Sequence, residues 1–259
     1  MSIQSVLTRR SAGYPSVAFA VLGCLLCVAA VIHLGLGART IAPRVVVDAL
    51  LHYDPHNFDH RIIVSLRLTR LLAALMTGAA LGVAGLLLQT VIRNPLGEPH
   101  ILGLNAGATL AVVACSAAGI SFGEWGVSRP LTAAGGAALL FGLVMLLAST
   151  GRAGATAMKI TLCGVALSAF ASAVTASILI LDEQTLQAMR TWLAGDLSGV
   201  STYTLRVASI PALLGVLLAA FLAPRLNILA LGDRMASGLG VTVTRTRILG
   251  VLAIALLCG

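Results

Sequence analysis

Residues Arg67 to Ala108 read RLTRLLAALMTGAALGVAGLLLQTVIRNPLGEPHILGLNAGA, and this stretch decides the fold. Leu71 to Ile92 gives 22 consecutive residues without a charge. At 1.5 Å per residue, a helix of that length spans about 33 Å, enough to cross a hydrocarbon core of about 30 Å. Arg67 and Arg70 stand at its start. At its end Pro95 pushes Asn94 out of helical conformation and Pro99 follows, so Arg93 to His100 reads as a stiff polar turn where the chain reverses. Gly78 and Gly82 form a G-x-x-x-G pair among Ala79, Ala80, Ala84 and Gly85. Such a face predicts close packing by another helix, and a helix buried among its neighbours. The next segment, Ile101 to Ile120, is again apolar, but Gly103, Asn105 and Gly107 make its start irregular. Unwound backbone at membrane depth needs cover from protein or a water-filled cavity, so this point is expected to border a pathway.

Composition agrees with a membrane setting. Apolar residues make up 58% of the 259 and charged residues 10%, against about 25% charged in a soluble domain. The class is therefore all-α, a polytopic helical membrane protein. The formal charge of +8, from 17 basic and 9 acidic residues, would point to nucleic acid in a soluble chain. Here the arginines fall at helix ends, where they anchor to headgroups and set topology, and no nucleic-acid partner is expected. Cys24, Cys27, Cys115, Cys163 and Cys258 all lie in apolar segments and form no disulfide framework. The C-x-x-C of Cys24 and Cys27 reads as small apolar packing, because only His33 shares its segment as a metal-ligating side chain.

Six complete spans are expected: Ser16 to Gly35, Leu71 to Ile92, Ile101 to Ile120, Leu131 to Ser149, Ile160 to Leu181 and Tyr203 to Ala223, the last bent or shortened near Pro211. A seventh run from Ile248 stops at Gly259 after 12 residues, about 18 Å, too short to cross. The chain is thus read as a single domain over residues 1–259, incomplete at its C-terminus. The first span has no small-residue cleavage site leading into a polar mature domain, and reads as a retained helix.

Between the spans, Gly37 to Leu66 is a long polar connection. Pro43 opens a short amphipathic helix with Val45, Val46, Ala49 and Leu50 on one side, suited to the interface. His52, Asp54, His56, Asp59 and His60 follow; they are either a metal-ligating set or a solvated loop, and Pro55 breaks the helix that would align the histidines. Asp182 to Tyr203 reads as a loop. Arg225 to Arg247 reads as two short helices punctuated by Gly232, Gly238 and Gly240.

With the N-terminus inside, Arg9, Arg10, Arg93, Arg152, Lys159, Arg225, Arg234, Arg245 and Arg247 are cytoplasmic, against Arg39, Arg44, Arg61, Arg67, Arg70, Arg129, Arg190 and Arg206 outside. That is nearly a tie. Leaving out the long first loop favours the same orientation.

Ser168, Ser172 and Thr175 recur at i, i+4 and i+7 in the fifth span, which puts three hydroxyls on one helical face. Two readings stand: hydroxyls bonding back to their own helix or gluing two helices, or a polar lining for a translocation path. No P-loop and no Ser/His/Asp set is present, so no enzyme is indicated. No ionisable residue stands in mid-span, as ion-coupled transport would need. Transport would draw its energy from another subunit; a secondary transporter is the alternative of a different class.

The run R-L-x-R, L-L-A-A-L, G-A-A-L, A-G-x-L-L-Q, R-N-P-L-x-E-P and L-G-x-x-x-G-A, with L-x-x-M-x-x-W-L-x-G-x-L-S-G after the fifth span, resembles the FecCD-type permeases. These are membrane subunits of bacterial ABC importers for iron-siderophores, haem and vitamin B12. The likeness runs from about Pro43 to Leu257, and implies a full family fold of about ten helices. Gly97 and His100 replace the commoner residues of the family's N-P-L-A-E-P turn. The resemblance implies a multi-pass protein of the bacterial inner membrane, importing a ferric siderophore or else haem or vitamin B12. Its implied partners are a separate ATPase subunit, an extracytoplasmic substrate-binding protein and a second permease copy or homologue. No cofactor and no metal are called for. Arg67 and Arg70 match the family's outer arginines, which meet carboxylates on the binding protein; headgroup anchoring is their other role. The segment Asn227 to Val241, with Asn227, Leu231, Gly232, Asp233, Ser237 and Gly240, matches the helices that couple to the ATPase. The fifth helix matches the family helix lining the central path, which assigns Ser168, Ser172 and Thr175 to it.

Overall fold

The computed structural model describes residues 15–95, 97–98, 102–120, 129–150 and 157–258, all of it helix and connecting turns. Arg9, Arg10, Leu96, Pro99, His100 and Arg152 lie outside the described residues, so the turn expected over Arg93 to His100 is seen only in part. The chain divides into two compact units, residues 1–72 and residues 73–259.

In the first unit, α1 (Pro15–Gly35) is followed by α2 (Pro43–Leu51) and α3 (Phe58–Arg61). Pro43 starts α2 as expected, because its missing N–H is one that a first helical turn leaves unbonded anyway. Val46 and Ala49 are the buried side of α2 and join Leu34, Ile41 and Ile63 in a small core; Leu50, expected on that side, is exposed. The polar connection ends earlier than its composition implied. Asn57 caps α3 by accepting from the N–H groups of Asp59 and His60. Helix then continues through a π-helical stretch, Ile62–Leu68, into α4 (Thr69–Ile92).

In the second unit, α5 (Leu104–Ala117) corrects the expected third span. It has 14 residues, about 21 Å, short of the roughly 30 Å required. Its start is fixed by Gly103, whose φ of 87° is open to glycine at little cost. Among the described residues, five helices are long and apolar enough to cross a membrane: Ser16–Gly35, Phe58–Ile92, Arg129–Ala148, Met158–Leu181 and Thr202–Leu229. Of these, α6 (Arg129–Ala148), α7 (Ala157–Leu181) and α9 (Thr202–Leu229) match expectation to within a few residues, except that α9 is not shortened at Pro211 and continues past Pro224 to Leu229.

The expected loop after the fifth span contains a helix, α8 (Glu183–Leu193). Asp182 caps it, accepting from the Thr185 N–H at 3.2 Å and from the Thr185 hydroxyl at 2.6 Å. Those hydrogen bonds, the hydroxyl's first, hold the Asp182 carboxyl below its usual value of 3.8, against a smaller opposing effect of desolvation. A lowered carboxylate pKa means the cap's contribution is complete above that value and is lost as pH falls through the lowered one. Amide exchange over α8 is therefore expected to accelerate in acid beyond its intrinsic pH dependence. Asp182→Asn should keep the helix and remove the acid response, since asparagine also caps.

Between α9 and α11 (Val243–Cys258) only one short helix forms, α10 (Asp233–Gly238), because α9 takes the residues expected for the first of two.

The closest approach of helices is not at the G-x-x-x-G pair. A Cβ built on Gly78, Gly82 or Gly85 meets nothing within 4 Å. Instead α5 and α6 touch backbone to backbone, and a methyl on Gly107 or Gly136 would overlap the other's carbonyl oxygen. On α6 the buried set Ala133, Ala134, Gly136, Ala137, Leu140, Phe141, Val144 and Ala148 recurs every three or four residues and faces this contact. Gly107→Ala and Gly136→Ala should each cost about 1–3 kcal/mol by forcing the helices apart. Gly78→Ala and Gly82→Ala should leave the melting temperature in detergent unchanged or slightly raised. Many leucines and isoleucines on the outward helix faces remain exposed, Leu139 and Leu217 among them, as lipid-facing positions do.

Candidate functional site

The three hydroxyl residues of the fifth span face one groove. Ser168, Ser172 and Thr175 on α7 line it on one side, with Ala176 and Leu179; Asn105, Ala106 and Thr109 on α5 line the other. The groove is open to the outside and holds about 460 Å³. Among the described residues its polar groups are an amide and four hydroxyls, with no ionisable side chain. Such a wall offers weak, neutral hydrogen bonds over an apolar surface, which favours passage over tight capture.

The hydroxyls are not equivalent. Thr175 is buried and its hydroxyl donates to the Ala171 carbonyl at 2.8 Å, the back-bonding geometry that satisfies a hydroxyl inside a helix. The Ser168 oxygen is itself buried yet has no hydrogen-bond partner among the described residues. It stands against the start of α5, where a Cβ on Gly103 would lie 3.4 Å from it. Ser172 is exposed in the groove. On the opposite wall, Asn105 belongs to the irregular helix start expected to border a pathway, whereas Thr109 is an addition, because nothing in the chain announces which helix α7 packs on.

The two arginines assigned to docking are half-buried in the first unit. Arg67 lies in the π-helical stretch, and its guanidinium donates to the Leu34 carbonyl at 2.7 Å and to the Arg39 carbonyl. It thereby ties the end of α1 to the connection that follows. Gly37 makes room for it: a Cβ there would sit 3.0 Å from the guanidinium. The Nε of Arg70 is enclosed. Arg39, exposed, pairs with Asp59 at 3.5 Å, and Arg44 and Arg61 are exposed nearby in sequence.

The His52 to His60 stretch is less open than a solvated loop. His60 is buried, accepts the Asp54 N–H at its Nδ1 (3.2 Å) and places its Nε2 at 3.5 Å from Asp48. Its Nδ1 lone pair is therefore occupied, and no three of His, Cys, Asp and Glu converge on a metal position among the described residues.

The assigned coupling residues fall into two groups. Asn227, at the end of α9, and Leu231, Ser237 and Gly240 are exposed, while Gly232 and Asp233 are half-buried. Ala236 is the inward residue of α10 and is fully buried. Leu231, Met235 and Leu239 are 63%, 59% and 58% exposed and recur every four residues, so the segment presents an apolar stripe outward. Met235 and Leu239 belong to this surface and are additions; the four-residue spacing in L-G-D-R-M-A-S-G-L was the available signal. Arg93 pairs with Asp233, which puts the turn after α4 and the α9–α11 connection at the same end of the bundle.

The FecCD transport family model matches residues 25–259, extending the resemblance toward the N-terminus. The chain is 39% identical over 238 residues to the ferric enterobactin transport system permease protein FepD of Escherichia coli (strain K12), covering 91% of this chain and 70% of that protein. It is 35% identical to the iron(3+)-hydroxamate import system permease protein FhuB of Bacillus subtilis (strain 168), covering 91% of this chain and 61% of that one. A solved ABC transporter assigned to the metal-chelate type, in an inward-facing conformation, superposes with a TM-score of 0.69 at 28% identity, over 95% of this chain and 74% of the other. With its run of membrane-length helices and a family match over nine-tenths of its length, this chain belongs to the FecCD transport family of multi-pass permeases.

Proposed function

We propose that the chain is the permease subunit of an ABC importer that carries ferric siderophores across the bacterial inner membrane. The observation that carries this reading is the groove between α5 and α7, roomy, open and lined by neutral polar groups. A bulky chelate slides past such a wall; a bare ion would need charged or coordinating groups. Relatives named for ferric enterobactin and iron(3+)-hydroxamate support the cargo class.

The subunit catalyses no reaction itself. A separate ATPase supplies the energy, an extracytoplasmic binding protein delivers the cargo, and a second permease copy or homologue closes the path. The sparsely buried α7, with Phe170 and Ile180 exposed, supports the need for that second subunit. The N-terminus is cytoplasmic in this reading, which sets Arg93, Arg234, Arg245 and Arg247 inside. There the stripe of Leu231, Met235 and Leu239 meets the ATPase, and Arg67 and Arg70 serve docking of the binding protein.

The test is reconstitution of the chain with its ATPase and binding protein in liposomes, followed by uptake of a radiolabelled ferric catecholate and a ferric hydroxamate. ATP-dependent uptake of either supports the reading. Uptake that ignores ATP and follows a proton or sodium gradient overturns it.

A further inference from the structure

We infer that Asp233 is an internal linchpin: its carboxylate joins α10 to the end of α4 and to the start of α11, so that a push on α10 reaches two long helices together. The inference rests on the reading that residues 231–240 face the ATPase, and it removes Asp233 itself from that contact.

One carboxylate oxygen serves two guanidinium groups. Asp233 Oδ1 accepts from Arg247 Nη2 at 2.9 Å and lies 3.2 Å from Arg93 Nη2. The three residues come from three elements: Arg93 follows α4, Asp233 begins α10, and Arg247 lies in the first turn and a half of α11. Without the carboxylate, two like charges would face each other across the gap, so the joint depends on the negative charge and not only on shape. Each ion pair is partly exposed and modest alone; what the arrangement supplies is a fixed geometry among three chain segments.

The backbone is bent to make this meeting. Arg93 is the only non-glycine residue with a positive φ, 52°, among the described residues. It occupies the place after a helix end where glycine is usual, with the Asn94 N–H returning to the Gln89 carbonyl at 3.1 Å. Gly232, directly before Asp233, has φ 110° and ψ 154°, a region essentially confined to glycine. Space is not the reason for that glycine: a Cβ there would make ordinary contact with Arg93 Nη1 at 3.5 Å. Conformation is the reason, since a residue of ordinary backbone would carry Asp233 elsewhere. Two rarely populated backbone conformations thus converge on one ion triad.

The triad sits on rigid support. Val91, two residues before Arg93, is buried against Gly250, three residues after Arg247, where an added methyl would come within 2.8 Å of the valine side chain. Ala236 inserts α10 into the same core. The outward stripe takes the load, Ala236 and Asp233 fix the lever, and α4 and α11 receive it. Asp233 is a positioning residue for coupling, acting through its two arginines.

The experiment uses the assembled importer in liposomes and reads two quantities, the amount of ATPase that copurifies with the permease and the cargo transported per ATP hydrolysed. Asp233→Asn is expected to leave copurification at the wild-type level and to lower transport per ATP at least fivefold, with Asp233→Glu restoring part of it. Adding Arg93→Gln and Arg247→Gln to Asp233→Asn should give no further loss, because all three act through one joint. A fall in copurification matching the fall in transport, or losses that simply add, would overturn the linchpin and make Asp233 a direct ATPase contact. Serine at Leu231, Met235 and Leu239 together should release the ATPase; a triple variant that retains it removes the coupling reading on which the inference rests, whatever Asp233 does.

Discussion

Filling the groove from its exposed wall stops transport without unfolding the protein: Ser172→Trp is expected to lower uptake more than tenfold while the purified subunit melts as the wild type does. Ser172 is exposed in the groove, so the indole enters open space and not the packed interior. Ser172→Ala removes the hydroxyl and keeps the width, and should change uptake less than twofold if the wall acts by shape. Ser168→Ala separates function from stability. A buried hydroxyl without a partner costs about 1–3 kcal/mol, so removing the Ser168 oxygen should leave the melting temperature unchanged or raise it. If that oxygen touches the cargo, uptake falls severalfold even as stability rises. A loss of both together would instead make Ser168 a packing residue.

Arg67→Glu should disable delivery of cargo by the binding protein, and here the structure separates two causes. A guanidinium that met a carboxylate on the binding protein directly would be rescued by reversing that charge on the partner. The observed guanidinium is instead engaged inside its own unit, on the Leu34 and Arg39 carbonyls. Replacing it with a carboxylate leaves both carbonyls without their donor and should destabilise that unit by about 2–3 kcal/mol. Charge reversal on the partner is then expected to restore little. Gly37→Ala supplies the neutral counterpart: it changes no charge and pushes a methyl against the same guanidinium. If Arg67 acts by holding the connection that carries Arg39, Gly37→Ala should weaken binding-protein docking in the same direction. Unaltered docking in Gly37→Ala together with full rescue of Arg67→Glu by charge reversal would show a direct contact. Surface plasmon resonance of the binding protein on the purified permease reads both variants.

What was legible in the sequence was set by local physics. Pro43 at a first helical turn, the uncharged run ending at Ile92, and the long spans of α6, α7 and α9 each follow from backbone sterics or from length, which need no knowledge of neighbours. Two helices, α3 and α8, were passed over because their residues are polar. Their caps were visible all the same, Asn57 before Phe58 and Asp182 three residues before Thr185. The glycine pairing was misplaced for a different reason. Gly78 and Gly82 permit a close approach, but permission is a property of one helix and contact a property of two. The same limit hid how the groove is assembled: three hydroxyls on α7 could be counted and Asn105 marked at an irregular helix start, but only packing brings them, with Thr109, to one groove. The ion triad lay further out of reach, since Arg93, Asp233 and Arg247 are brought together from positions 140 and 14 residues apart.

The backbone contact at Gly107 and Gly136 bears on how the groove changes width. Two helices in contact through their main chains have no side chains between them to rearrange, so α5 cannot slide on α6 without lifting off it. The wall that carries Asn105 and Thr109 is therefore one slab with α6, whose face is deeply packed. If the groove widens or narrows, the change is then expected on the side of Ser168, Ser172 and Thr175, and not between α5 and α6.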